Sequence, residues 1–553
     1  MSRPDWIVLV LTLLGIIAYG LYKGRASRDL DGYFLSNRMV PWYMILLGIM
    51  GTQASAVTFL SAPGQAYTDG MRFVQYYFGL PLAMIVVCVS FVPVFRKLKV
   101  YTAYEYLESR FDLKTRALTS FLFLLSRGLS TGISIAAPSI ILSSLLGWNI
   151  LWTNVFMGGL LIIYTVTGGA KAVAYTQKLQ MIIIFGGMAV AGYMVIRGLP
   201  AGVGLREVLR IGGKAGKLNI VTTGIRPKGG FDWGDRYNLF SGLIGGFFLQ
   251  LSYFGADQSQ VGRYLTAKSL SESRLGLLLN GLVKVPMQFL ILLLGVMVFA
   301  FYQYHPRPVF FNKSQITKLE RSKYGDSLKV LLPRYEAQEK ERVSGDVQLE
   351  KAQAADRATV KRWLDDPAVG GDSNDTNYIF LRFVTDYLPV GLIGLLIAVI
   401  VLAAWGSIAA TLNSLASCTI VDFHRRFSRE PMGSEKEYKL SKVYTLLWGV
   451  FCVAMAQLAY NIGNSLIEAV NVLGSLFYGV ILGIFLVAFY RRKTGGRAVF
   501  ISAVIVEVGV IVLNVLGRQG IVPLSFLWFN VVGAVGVVLL SEVLQLFFKR
   551  QSI

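Results

Sequence analysis

Histidine is almost absent: His305 and His424 are the only two in 553 residues. A histidine-ligated metal centre therefore has little to be built from. Cysteine is scarce too. Cys88, Cys418 and Cys452 all fall inside apolar runs without metal-binding spacing, and read as buried thiols acting as small hydrophobes. Only 16% of the residues are charged, too few to coat a soluble protein of this length. The formal net charge is +22, but the basic residues sit mainly between apolar runs. That placement calls for a lipid bilayer and for no nucleic-acid partner. With no base–nucleophile pair or metal set in view, the chain does not read as an enzyme.

Apolar sequence is what the chain has in abundance: 54% is hydrophobic and the mean hydropathy is +0.55. Thirteen runs are long enough to cross a hydrocarbon core of about 30 Å. They lie near residues 5–22, 41–67, 73–95, 117–146, 149–167, 173–197, 238–262, 275–302, 378–422, 443–460, 465–490, 498–516 and 523–547. The expected fold class is an all-α polytopic membrane protein with about 13 transmembrane helices. The short loops on one side carry Lys23, Arg25, Arg28 and Arg38, then Arg96, Lys97, Lys99, Lys114 and Arg116. Further along, the same side carries Arg263, Lys268, Arg425, Arg426, Arg429, Arg491, Arg492, Lys493, Lys549 and Arg550. Basic loops mark the cytoplasmic face. The expectation is a multi-pass protein of the plasma (inner) membrane, N-terminus outside and C-terminus inside.

The run from Trp42 to Tyr67 is interrupted. Gly48, Gly51, Thr52, Gln53, Ser55 and Thr58 crowd its middle, where glycine costs roughly 1 kcal/mol against alanine and hydroxyls compete for backbone partners. Broken backbone at membrane depth is tolerated where it is buried in protein or lines a cavity. Close helix packing through small residues is the other reading. Five runs later, Ser241-Gly-Leu-Ile-Gly-Gly and Gln250-Leu-Ser-Tyr-Phe-Gly-Ala-Asp-Gln form a second weak patch. Two interrupted helices in corresponding positions point to two inverted five-helix repeats with discontinuous first and sixth core helices. On that basis residues 1–40 are a peripheral span and loop, 41–197 the first repeat and 198–237 an irregular external loop. Residues 238–495 are the second repeat, with an external insertion at 303–377, and 496–553 are peripheral spans. The insertion carries a charged, helix-favouring run from Glu336 to Asp365, and Asn312 and Asn374 match the glycosylation acceptor pattern.

The eighth core run places Ser407, Thr411, Asn413 and Ser414 at roughly helical spacing, and hydroxyl and carbonyl oxygens suit Na⁺. Each hydroxyl taken alone would bond back to its own helix. Arg127, Lys284, Glu468 and Glu507 lie inside apolar runs, where charge is expensive and needs a reason.

Four segments resemble the sodium/solute symporters that include sodium/glucose cotransporters and bacterial sialic acid and proline transporters. They are Ser55-Ala-Val-Thr-Phe-Leu-Ser-Ala-Pro-Gly, Gly168-Gly-Ala-Lys-Ala-Val-Ala-Tyr-Thr-Gln-Lys-Leu-Gln, Asp257-Gln-Ser-Gln-Val-Gly-Arg-Tyr-Leu and Leu412-Asn-Ser. The resemblance implies a Na⁺ site with backbone ligands at Gly51, Ala54 and Ala403, and side-chain ligands at Gly406 and Ser407. Gly406 lacks the hydroxyl usual in the family. A second Na⁺ site of some members aligns with Gln177, Ala409 and Ala410, none of which supplies its ligands, which implies one Na⁺ per solute.

The resemblance also implies substrate contacts at Ser55 and Thr58. Sugar-transporting members are similar at Gln250, Tyr253 and Lys284, and loosely at Glu468, which is expected to pair with Lys284 if both face the cavity. Gln75, Tyr76 and Tyr77 are expected on the cavity face of the second core helix, and Arg127 is a candidate carboxylate clamp. The expected function is Na⁺-coupled symport of a small polar solute, a sugar or polyol, by alternating access. The alternatives are symport of a small carboxylate, such as a sialic or monocarboxylic acid, and a vestigial transporter acting as a substrate sensor. The partners are Na⁺, the solute and the bilayer, and a single chain suffices.

Overall fold

The computed structural model describes residues 2–24, 30–226, 229–341, 347–428, 433–458 and 466–548. Arg25, Arg28, Arg429, Lys549 and Arg550 of the basic loops lie outside the described residues. Ten described helices are long and apolar enough to cross a membrane, or eleven with one bent pair counted as a span. Length and apolarity of the described helices alone do not confirm the expected count of thirteen. The apolar helix Ile150–Val166 is short, and the run at 238–262 is divided into pieces too short to qualify.

Both expected discontinuous helices are present. The first core helix is Trp42–Gln53 followed by Ala56–Asp69, bent by 60° at Ala54 and Ser55. Ala54 leaves helical geometry at φ −87°, ψ 78°, and Ser55 is extended, so the chain steps sideways rather than continuing its turn. The sixth core helix is a wide π turn at Ser241–Gly245 and a helix Gly246–Gly255, then a break and Gln258–Leu265. Asp257 sits in that break and caps the second piece, accepting from Ser259 N at 2.8 Å. Side-chain caps of this kind satisfy amides that helix geometry leaves without partners.

The second core helix spans Met71–Leu98, the third Leu113–Leu146, the seventh Leu270–Tyr304, the eighth Leu392–Cys418 and the tenth Leu466–Tyr490. The fourth and fifth are joined at Gly169, whose φ of 57° suits glycine and turns the chain between them. The eighth is almost wholly buried, and its first turn is capped from outside the core: Asp5 of the span Arg3–Gly24 accepts from Gly391 N at 2.6 Å.

Outside the membrane, residues 198–237 are not wholly irregular as expected. They hold the helix Leu205–Lys214 and a short antiparallel pairing of Ile225–Arg226 with Gly230–Phe231. The insertion at 303–377 forms a helical cap, Lys313–Glu320, Gly325–Glu341 and Val347–Asp365, around its own core of Phe310, Leu328, Leu331 and Val360. Asn312 is buried there, its side chain capping the first cap helix through Ser314 N at 3.1 Å. It is thus closed to glycosylation, which requires an exposed amide.

Candidate functional site: a cavity at the broken first helix

A cavity of about 100 Å³ opens where the break in the first core helix faces the second, third, sixth, eighth and tenth. Ser55, Thr58, Tyr77, Arg127, Tyr253 and Ser407 of the sequence-derived candidates line it. Its wall is mixed, with hydroxyls on the first, third and eighth helices facing aromatic rings on the second, sixth and tenth.

Arg127 is the cation of this wall. Its Nε donates to Asp257 Oδ2 at 2.5 Å, and its guanidinium lies 4.8 Å from the ring centre of Tyr253. Tyr478 donates its hydroxyl to the same Asp257 oxygen at 2.9 Å. Nη2 of Arg127 is buried without a hydrogen-bond partner among the described residues. A guanidinium held by one carboxylate and two aromatic faces keeps a planar fork with unspent donors. The sequence offers one signal for Asp257: a carboxylate in an apolar run, two residues after Gly255.

Gln75, Gln250, Lys284 and Glu468 do not line the cavity. Gln75 ties the 198–237 loop to the second core helix, donating to Thr222 Oγ1 and Tyr237 O at 3.0 Å each and accepting from Thr222 N at 3.1 Å. Gln250 and Lys284 are fully buried, their polar side-chain atoms without hydrogen-bond partners among the described residues. Nζ of Lys284 lies 5.3 Å from the ring centre of Tyr77, behind the cavity wall. Glu468 forms its ion pair with Arg236 of the outer loop, not with Lys284. The expected Lys284–Glu468 pair is corrected accordingly. Glu468 lies in the first turn of the tenth core helix, where Arg236 of the 198–237 loop reaches it.

The residues assigned to Na⁺ fall on two segments, Gly51 and Ala54 at the break and Ala403, Gly406 and Ser407 on the eighth core helix. The structure brings these segments together. Gln177 Nε2 donates to Thr52 Oγ1 at 3.1 Å and to Gly406 O at 3.0 Å, spanning the gap between them. Ser407 Oγ donates to Ala404 O at 3.0 Å, which leaves its lone pairs for a cation on the cavity side. The ends of the broken helix add carbonyls, so the donors are all hard oxygens, the chemistry that alkali and alkaline-earth ions prefer. At Gly406 an added Cβ would collide with Gln180 Oε1 and approach Gln177 Cγ to 3.3 Å. The missing hydroxyl is thus replaced by two glutamines that fill its space.

The sequence matches the profile of the Sodium:solute symporter family over residues 33–320 and 358–550, most of the chain. The chain belongs to the sodium:solute symporter family. Na⁺-coupled symport of a solute across a membrane follows from that membership, and the family is one of transporters rather than enzymes. The chain is 26% identical over 548 residues to the sodium/sialic acid symporter SiaT of Proteus mirabilis (strain HI4320), covering 98% of this chain and 94% of that one. It is 26% identical over 487 residues to the human sodium-coupled monocarboxylate transporter 1, covering 87% and 68%. A solved Na⁺-coupled sialic acid symporter in a substrate-bound outward-open state superposes with a TM-score of 0.77 at 23% identity, covering 99% of each chain. That likeness carries the fold.

Proposed function

We propose that this symporter carries a small organic anion, a sialic or monocarboxylic acid, together with Na⁺. The observation that carries the reading is Arg127: it lines the cavity, is buried against two aromatic rings and keeps Nη2 unpartnered. A carboxylate offers the planar pair of acceptors that a guanidinium matches. Ser55, Thr58, Ser130 and Ser134 around it supply hydroxyls for the remainder of the solute. The substrates in the names of the sialic acid and monocarboxylate relatives support the same chemistry.

The sugar or polyol favoured by the sequence reading loses its main support. Of the residues that carried the likeness to sugar transporters, Gln250, Lys284 and Glu468 stand outside the cavity wall, and Tyr253 alone lines it. In this scheme Na⁺ bound by Gly51, Ala54, Ala403 and Ser407 stabilises the outward-open state, which then takes the anion, because coupling requires an ion to bind the two states differently. We place the N-terminus outside and the C-terminus in the cytoplasm, from the basic loops.

The test is thermal stabilisation of purified protein by sialic acids, short monocarboxylates and neutral polyols, each in sodium and in potassium chloride. A ligand at a hundred times its Kd adds about 2.7 kcal/mol. Stabilisation by a carboxylate in sodium alone is the expected result. Stabilisation by polyols with none by acids overturns the reading.

A further inference from the structure

Gln177 is a fully buried residue of the fifth core helix, and its amide lies between the two segments that carry the Na⁺ ligands. Its two N–H groups go to two oxygens of different helices, the hydroxyl of Thr52 on the first and the carbonyl of Gly406 on the eighth. Its own carbonyl oxygen, Oε1, is buried without a hydrogen-bond partner among the described residues. Such an orphan is costly in a membrane interior, so the amide is held there for its donors.

The surrounding backbone is shaped around this side chain. A Cβ at Gly51 would stand 3.2 Å from Gln177 Cγ and a Cβ at Gly406 3.3 Å from the same atom. Both glycines are thus the space in which the glutamine lies. Residues 177 and 406, singled out separately as departures from the family pattern, are one arrangement: a side chain and the gap that admits it.

We infer that the Gln177 amide is a built-in neutral surrogate for a cation, joining the first and eighth core helices through Thr52 and Gly406. A bound cation draws in oxygens from both helices; a carboxamide NH₂ does the same through two hydrogen bonds and brings no charge. The tether occupies both oxygens, so this pair is withheld from Na⁺ and coupling rests on the single site beside it. The inference rests on the Na⁺-symport reading and adds to it the residue that sets the ion count. A serine at 406 would have to move the Gln180 amide and would crowd the tether.

Two neighbours shape the test. Arg263 reaches the same place, its Cδ 3.9 Å from a Cβ built on Gly48 while Gln177 Oε1 is 3.5 Å from it, and Arg263 Nε is buried without a partner among the described residues. A carboxylate introduced at 177 would therefore have a guanidinium at hand. The glutamate substitution is accordingly combined with neutralisation of Arg263.

The experiment counts Na⁺. Radiolabelled sodium binding and Na⁺ titrations of thermal stability are measured on purified wild-type protein, Gln177→Met and Gln177→Glu/Arg263→Gln. Wild type is expected to bind one Na⁺ per chain with a Hill coefficient of about 1. Gln177→Met keeps the volume and removes both donors, so Na⁺ alone must then join the helices. Its Na⁺ midpoint rises by about tenfold, as for one lost interaction of ordinary strength, with the Hill coefficient unchanged. The double variant presents carboxylate oxygens to Thr52 and Gly406, binds a second Na⁺, and its Hill coefficient rises toward about 2. A wild type that binds two Na⁺, or a Gln177→Met protein with an unchanged midpoint, overturns the inference, whether or not the double variant folds. A wild type with no saturable Na⁺ binding overturns the symport reading itself.

Discussion

The Nε of Arg127 donates to Asp257 Oδ2 at 2.5 Å, joining the third core helix to the break in the sixth. The Asp257 side chain is 1% exposed and that of Arg127 11%, so each charge depends on the other for its place in the membrane interior. Asp257 also caps its helix through Ser259 N and receives the Tyr478 hydroxyl. One carboxylate thus sets the cation of the cavity wall and the geometry of the second broken helix.

Breaking this pair from one side is expected to be severe. Asp257→Asn leaves a buried guanidinium uncompensated, a loss of about 3–5 kcal/mol. Arg127→Gln strands the carboxylate at a similar cost. The double variant recovers part of the loss, because neither charge remains. Unfolding of the three proteins in one detergent checks it; additive losses contradict a direct interaction.

Ser407→Ala removes a hydroxyl from the proposed Na⁺ ligands while improving helix propensity. Stability without Na⁺ should stay within about 0.5 kcal/mol of wild type. The Na⁺ midpoint should rise by about tenfold, the effect of one lost interaction of about 1.4 kcal/mol. Unaltered Na⁺ dependence of uptake and binding would place the ion elsewhere.

From the sequence, Gly406→Ser restores a missing ligand and should tighten Na⁺ binding provided the serine fits between the helices. The structure bears on that condition, since the new side chain meets Gln180 Oε1 and approaches Gln177 Cγ. A loss of about 1–3 kcal/mol is expected, the usual cost of overpacking. Adding Gln180→Ala should restore most of it. A stable Gly406→Ser protein with tighter Na⁺ binding contradicts the packing seen here.

The external cap should soften as pH rises. Burial pushes the Asp372 carboxyl up to about 6 from 3.8, with Asp375 and Asp365 adding to the rise. Between those values the folded cap holds a proton that the unfolded chain releases. This contribution is full below the unfolded value and is lost as pH climbs through the folded one. Its size is on the order of 3 kcal/mol. Hydrogen exchange of the cap helices at about pH 4 and about pH 7, compared with Asp372→Asn, measures it. The variant should show a flatter dependence; an identical one assigns the effect to another group.

What the sequence by itself determined are the properties that reside in one stretch of chain. Apolar length placed most of the spans, and the crowding of Gly48, Gly51, Thr52 and Ser55 marked the broken helix, because helix weakness is local. Hydropathy marked the run at 238–262 as one span and did not register its change of direction at Ala256 and Asp257. Only the tertiary structure decided which polar side chains share the cavity. Gln75 and Tyr77 stand two residues apart, yet one is bound to Thr222 of the outer loop and the other faces the cavity. Glu468 went to Arg236 rather than Lys284, and Gln177 met Gly406 across 229 positions. Each of these outcomes depends on how a helix is rotated about its own axis, and that rotation is fixed by packing against partners distant in the chain.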